Sequence, residues 1–150
     1  MQTLIIILVN IFLVLVNILI HYETLYRLAK SLNILPIAHR YRVLFGVMVI
    51  FLIHIIEILI FALGYYFVLA IPSMGNMTGN ASDLITFIDC AYFSFVTYTT
   101  IGYGDIFVHG YARYITGIEA LSGLILITWS ASFLFIEMQK NWDLRHSSKK

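Results

Sequence analysis

Charged residues are scarce in this sequence. They make up 11% of its 150 residues, whereas a soluble domain carries about 25%. Hydrophobic residues reach 61%, and the mean hydropathy is +0.90. This composition excludes an ordinary soluble domain and predicts an integral membrane protein.

Other absences narrow the classes of function. The net charge is +1 and no basic run is interleaved with aromatic residues, so nothing predicts nucleic-acid binding. Cys90 is the single cysteine, which excludes a disulfide within the chain. No apolar segment carries arginine at every third position, so a voltage sensor is not expected.

Three apolar runs are long enough to cross a bilayer as helices, at residues 4–20, 43–71 and 114–138. A cleaved signal peptide is the competing interpretation of the first run. No Lys or Arg precedes that run, however, and no small-residue cleavage site follows it, so we predict a retained helix. Asn10 and Asn17 share one face of this helix and are expected to hydrogen-bond a neighbouring helix.

A fourth apolar segment, residues 84–98, is too short to span. As a helix it would reach about 22 Å, with Ser82 or Asp83 placed to cap its start. A glycine-bearing stretch follows it, and irregular backbone is tolerated at membrane depth only where protein buries it or water lines it. We therefore predict a re-entrant segment that enters the membrane and returns.

The basic residues predict the orientation of the chain. Of the nine, only Arg113 lies outside the first inter-span linker and the C-terminal tail. The positive-inside rule makes those two segments cytoplasmic. We expect the N-terminus outside, the re-entrant segment entering from outside, and the C-terminus in the cytoplasm. The sequons at Asn76 and Asn80 then fall in the outer loop.

Residues 99–105 read TTIGYGD. Glycine accepts the left-handed backbone that other residues resist, so Gly102 and Gly104 allow successive carbonyls to point at one axis while Ile101 and Tyr103 point outward. Four copies around an axis would form stacked rings of carbonyl oxygens that replace the hydration shell of a cation. The preceding helix would direct its partly negative C-terminal end at that ion.

The array Thr97-x-x-Thr100-Ile101-Gly102-Tyr103-Gly104-Asp105, between two spans and after a short helix, resembles the selectivity filter of the potassium channel family. The resemblance covers residues 43–138 and implies a homotetramer. It implies potassium sites at Thr100, Ile101, Gly102, Tyr103 and Gly104, and filter support from Thr97, Thr99, Asp105 and Tyr92. Some members carry a buried acid where this chain has Val96, so bracing of Asp105 is expected from Tyr92 or Phe93.

The resemblance also divides the chain. Residues 1–42 form an N-terminal helix and basic linker, and residues 139–150 a short tail. The pore domain, 43–138, comprises an outer helix (43–71), a pore helix (83–98), the filter (99–105) and an inner helix (112–138). Gly123 falls one residue before the family's hinge glycine. A cavity face below the filter is expected at Ile125, Thr128, Ser132 and Ile136, and the outer mouth at Phe107 and His109.

Ionisable residues inside a span are functional candidates. His54 and Glu57 lie three residues apart on one helical face and are expected to pair. A structural pair is the first interpretation and a pH-sensing pair the second, while two ligands are too few for a metal site. Glu119 on the inner helix, and similarly Asp89 on the pore helix, are expected to hydrogen-bond across a helix contact.

The sequence thus predicts an all-α membrane protein with three transmembrane helices, a re-entrant pore helix and a filter loop, assembled as a tetrameric pore. We expect it to conduct potassium ions across an inner or plasma membrane without a cofactor. The alternatives are a non-conducting accessory subunit, which the intact filter disfavours, and a membrane enzyme using His54 and Glu57. No nucleophile or third ligand lies near those two residues in sequence.

Overall fold

The structure, a computed structural model, describes residues 1–34, 39–81 and 84–147. Its four α-helices are α1 (Gln2–Ile34), α2 (His39–Leu69), α3 (Phe87–Tyr98) and α4 (Arg113–Ser147). Two short strands, β1 (Met77–Gly79) and β2 (Ile106–Val108), flank α3 in sequence, and a 3₁₀ turn (Gly110–Ala112) precedes α4.

Three helices in the described part of the chain are long and apolar enough to cross a membrane. The candidate spans are Gln2–Leu32, Tyr41–Leu69 and Gly110–Gln139. Large apolar side chains remain exposed along all three, among them Phe12, Phe51 and Phe135. So much exposed apolar surface indicates a hydrocarbon solvent or further protein contacts. The expectation of an all-α membrane protein is confirmed.

Helix α1 packs against both α2 and α4. It extends well beyond the apolar run at residues 4–20, because Leu25, Leu28 and Leu32 pack on Ile50 of α2. The expected interhelical bonds of its asparagines are not formed. Asn10 and Asn17 are buried, but each side-chain amide donates to the carbonyl four residues earlier, at 2.9 and 2.8 Å. That carbonyl is always within reach in a helix, so the local bond forms instead.

Helix α3 begins at Phe87 rather than near residue 83. A capping box fixes its start: the Thr86 hydroxyl accepts from the Asp89 amide, and the Asp89 carboxylate accepts from the Thr86 amide at 2.9 Å. This reciprocal pairing satisfies donors that the first turn leaves unpaired. Asp89 therefore caps its own helix, and the caps expected at Ser82 and Asp83 lie outside the described residues.

The two strands join the segments before and after α3. They pair antiparallel, with Gly79 opposite Ile106, and the Asn80 amide extends the pairing by donating to the Asp105 carbonyl at 2.9 Å. Gly79 has φ +101, and a Cβ there would collide with the Asp105 carbonyl oxygen. Only glycine fits this position. The strands were not predicted, because three-residue strands show too little alternation to detect.

Helix α4 passes in direct contact with the C-terminal end of α3. A Cβ on Gly123 would collide with the Tyr98 carbonyl oxygen and lie 3.1 Å from the Tyr98 ring. The glycine assigned a hinge role by resemblance thus has an immediate packing role. It allows the inner helix to approach the pore helix backbone.

We predict that Gly123→Ala destabilises the protein, because overpacking at a backbone contact costs about 1–3 kcal/mol. The measurement is the thermal unfolding midpoint of the purified protein. Gly117→Ala is the matched control on the same helix, since nothing in the chain lies within 4 Å of a Cβ there and alanine favours a helix by about 1 kcal/mol. Equal midpoints for the two variants would contradict the packing role.

Candidate functional site

The backbone between α3 and β2 alternates in handedness. Thr100 and Gly102 have φ +58 and Gly104 has φ +73, whereas Ile101 and Tyr103 between them are not left-handed. The expectation for the two glycines is met, but the left-handed Thr100 was missed. A non-glycine residue there costs about 1–2 kcal/mol.

Hydrogen bonds from the end of α3 hold this alternating segment in place. The Val96 carbonyl accepts from the amides of Ile101 and Gly102, at 3.1 and 3.2 Å, and the Thr97 carbonyl accepts from Thr100 at 2.9 Å. The Thr99 hydroxyl donates back to the Phe95 carbonyl at 2.7 Å. The segment is therefore anchored at its N-terminal end by the last turn of α3.

The C-terminal end of the segment is held by a side chain. The Tyr92 hydroxyl donates to Asp105 Oδ2 at 2.8 Å. This bond raises the pKa of Tyr92, because it favours the protonated phenol that donates to the carboxylate. Of the two candidates for bracing Asp105, Tyr92 makes the contact, and Phe93 packs edge-on against Tyr65 instead, with ring centroids 5.2 Å apart.

One chain leaves the alternating segment uncovered. Ile101 is 57% exposed and Tyr103 is 68% exposed, and nothing lies within 4 Å of a Cβ built on Gly102 or Gly104. Among the described residues of one chain, nothing therefore covers the exposed side of residues 101–104.

A buried carboxylate joins three helices beside this segment. Glu57 on α2 accepts from His21 Nδ1 of α1 at 2.8 Å, from His54 Nδ1 at 2.9 Å and from the Tyr98 hydroxyl of α3 at 2.6 Å. Glu57, His21 and Tyr98 are fully buried. The expected contact of His54 with Glu57 is present, and its pH-sensing role stays a prediction. His21 and Tyr98 were missed because no local spacing links them to Glu57.

A second buried carboxylate holds the other side of α3. Glu119 of α4 accepts from the Tyr65 hydroxyl at 2.7 Å and from the Ser94 hydroxyl of α3, while Ser94 Oγ also lies 2.7 Å from the Ile58 carbonyl oxygen. The cross-helix bond expected for Glu119 is therefore present. Its partners could not be named from sequence.

The residues expected to line a cavity form an exposed face of α4. Ile125 is 54% exposed and Ile136 is 51% exposed. The hydroxyls of Thr128 and Ser132 donate to carbonyls four residues earlier, at 2.6 and 3.0 Å. Because these hydroxyls are already hydrogen-bonded within α4, the face can contact water, lipid or another chain.

The residues expected at the outer mouth lie beside the filter segment. Phe107 in β2 is 52% exposed, and His109 Nε2 lies 2.8 Å from the Thr78 hydroxyl. Both line a pocket of about 410 Å³ together with Gly102, Gly104 and Asp105. The strand pair thus holds an aromatic ring and an imidazole close to the end of the alternating segment.

Comparison with known proteins gives one result. A protein-family model described as "Ion channel" matches residues 53–140, more than half of the chain. No curated protein and no solved structure gives a significant match. The matched part contains the pore helix, the alternating segment, both buried carboxylates and the exposed face of α4. The chain belongs to this family of ion channels.

Proposed function

We propose that the protein is a potassium-selective channel that conducts passively through a homotetrameric pore. The observation that carries the proposal is the alternating left-handed backbone at Thr100, Gly102 and Gly104, which ends at an Asp105 held by Tyr92. Successive carbonyls of such a backbone can replace the hydration shell of potassium ions. Membership of an ion channel family supports transport rather than catalysis.

A homotetramer follows from the incomplete enclosure of the filter. Residues 101–104 lack cover within one chain, and an ion needs oxygens on all sides. A fourfold ring of identical chains is the simplest closed arrangement that supplies them. The oxygens would come from Thr100, Ile101, Gly102 and Tyr103, with Gly104 at the outer end and Thr97 and Thr99 supporting from behind.

The inner helices would enclose a water-filled cavity below that ring. The exposed α4 face of Ile125, Thr128, Ser132 and Ile136 lies on the same side as the filter in the proposed assembly. The C-terminal end of α3 would direct its partial negative charge towards an ion in the cavity. An ion that has lost bulk water in mid-membrane would be stabilised there.

Membrane orientation is part of the proposal. The basic residues place the α1–α2 linker and the C-terminal tail on the cytoplasmic side of a cell membrane. The filter then opens to the outside, where the paired strands and their sequons also lie. A non-conducting accessory subunit is the remaining alternative, and flux through the purified protein separates the two.

We predict that the purified protein in liposomes passes potassium and rubidium but not sodium. Gly102→Ala should abolish the flux or strongly reduce it, because a second non-glycine residue at φ +58 besides Thr100 adds about 1–2 kcal/mol of strain to the same short segment. Replacement of Tyr103 should abolish flux or selectivity. Tyr26→Phe, at an exposed position on α1, is the control and should conduct normally. Equal potassium and sodium permeability, measured by reversal potential, would contradict potassium selectivity.

We predict that Tyr92→Phe weakens the filter without removing it. The substitution deletes the hydroxyl that donates to Asp105, a bond worth about 1–2 kcal/mol, or roughly a fivefold to thirtyfold shift between conducting and collapsed filters. The measurement is the decay of potassium current during sustained opening, which should quicken. Unchanged decay would show that the contact does not support the filter.

We predict that external tetraethylammonium blocks the channel through Phe107. Four rings around the outer mouth would contact one cation, and each cation–π contact contributes about 0.5–2 kcal/mol. Phe107→Val should therefore raise the blocking concentration about tenfold or more. Phe67→Val, at an exposed position on α2, is the control. An unchanged blocking concentration in Phe107→Val would show that β2 does not lie at the pore mouth. The filter proposal does not depend on this result.

A further inference from the structure

We infer that His21, His54 and Glu57 form a binding site for a divalent transition metal, of which zinc is the representative. One ligand atom from each residue lies within 4.8 Å of the others. The residues come from α1 and α2, and no step of the proposed conduction pathway uses them. The site would fasten the N-terminal helix to the pore domain.

The three ligands converge on one point. The Nδ1 atoms of His21 and His54 approach opposite oxygens of the same carboxylate, at 2.8 and 2.9 Å. Around a four-coordinate zinc with bonds of about 2.0–2.1 Å, neighbouring ligand atoms are about 3.3 Å apart. The two histidine–carboxylate contacts would therefore lengthen by about half an ångström to admit the ion. No two of the ligand atoms are more than 4.8 Å apart, so any wider pair would have to close by at most about 1.5 Å.

The donor set matches zinc chemistry. Two imidazoles and one carboxylate hold zinc with a fourth position left for water or another oxygen. The Tyr98 hydroxyl lies 2.6 Å from Glu57 Oε2 and 3.1 Å from His54 Nδ1, so an oxygen is already present beside that fourth position. The His54 side chain, at 16% exposure, provides the open side of an otherwise buried cluster.

A neighbouring hydroxyl can select the metal-binding tautomer of His21. Binding through Nδ1 requires that the ring proton lie on Nε2, and Ser130 Oγ of α4 is 3.3 Å from that nitrogen. The hydroxyl oxygen there can accept a hydrogen bond from Nε2–H, as outer partners of metal-ligating histidines commonly do. The Trp129 ring packs beside the imidazole, with centroids 5.4 Å apart, and restricts its rotation.

The same atoms also form a hydrogen-bonded cluster without metal, in which one carboxylate accepts from three donors. The two states differ in charge. A lone carboxylate inside a membrane is costly, and a bound divalent ion would neutralise it directly. The metal-bound site and the metal-free cluster would have the same fold, so a measurement of metal content is needed to distinguish them.

The test is direct zinc binding by the purified full-length protein in nanodiscs. After removal of metal by a chelator, the protein is dialysed against zinc alone and its metal content is measured by elemental analysis. The expected result is one zinc per chain, with cobalt giving the visible absorption of a four-coordinate site. His21→Gln and His54→Gln should each weaken zinc binding by more than about 100-fold. His109→Gln, which removes the histidine of the outer loop, is the matched control and should bind normally.

The proposed site would be wrong if the protein did not bind one zinc ion per chain. It would also be wrong if both histidine variants bound zinc with the affinity of the unmodified protein. If the two variants do not assemble, Ser130→Ala replaces them. Loss of an outer partner should weaken binding about 10–100-fold, and unchanged affinity there would also overturn the site. Potassium flux is not measured in this experiment. A protein that conducts potassium selectively but binds no zinc contradicts only this inference. A protein that binds zinc but shows no flux contradicts only the proposed function.

Discussion

The position of α3 depends on hydrogen bonds that its hydroxyl groups donate to two buried carboxylates. This helix has twelve residues and a length of about 18 Å, so the bilayer alone cannot fix its depth as it does for a spanning helix. Glu57 holds its C-terminal end through Tyr98, and Glu119 holds its middle through Ser94. In a low-dielectric interior such bonds are strong when complete and costly when one partner is missing. The alternating segment, which is the proposed filter, begins within two residues of Tyr98, so its position follows from that of the helix.

Close backbone contact completes this support. Gly123 brings α4 against the Tyr98 carbonyl, and the amides after α3 fold back onto the Val96 carbonyl. The left-handed conformation at Thr100 is unfavourable by itself, and these contacts stabilise it where the chain leaves α3. Rigid elements on both sides thus hold an irregular segment that has no regular secondary structure of its own.

Features encoded by local pattern could be predicted from the sequence, and features created by packing could not. The three spans follow from long apolar runs, and the conformations of Gly102 and Gly104 from their alternation. Tyr92 was one of two candidates for contacting Asp105, and only the structure shows which ring faces the carboxylate. His21 contacts Glu57 from 36 residues away, and that contact depends on how α1 and α2 are aligned along their lengths. Neither hydrophobic periodicity nor composition determines that alignment.

The short antiparallel ribbon of β1 and β2 brings together the two ends of the segment that contains α3. Because Gly79 and Ile106 are paired neighbours, residues 80–105 leave and re-enter the rest of the fold at almost the same point. Closing such a loop costs little entropy once its ends are fixed. Residues 80–105, which carry α3 and the proposed filter, therefore form a segment whose two ends are adjacent. If this segment were placed in another chain, the helices of that chain would have to supply equivalents of Gly123, Glu57 and Glu119 at the positions where they contact α3.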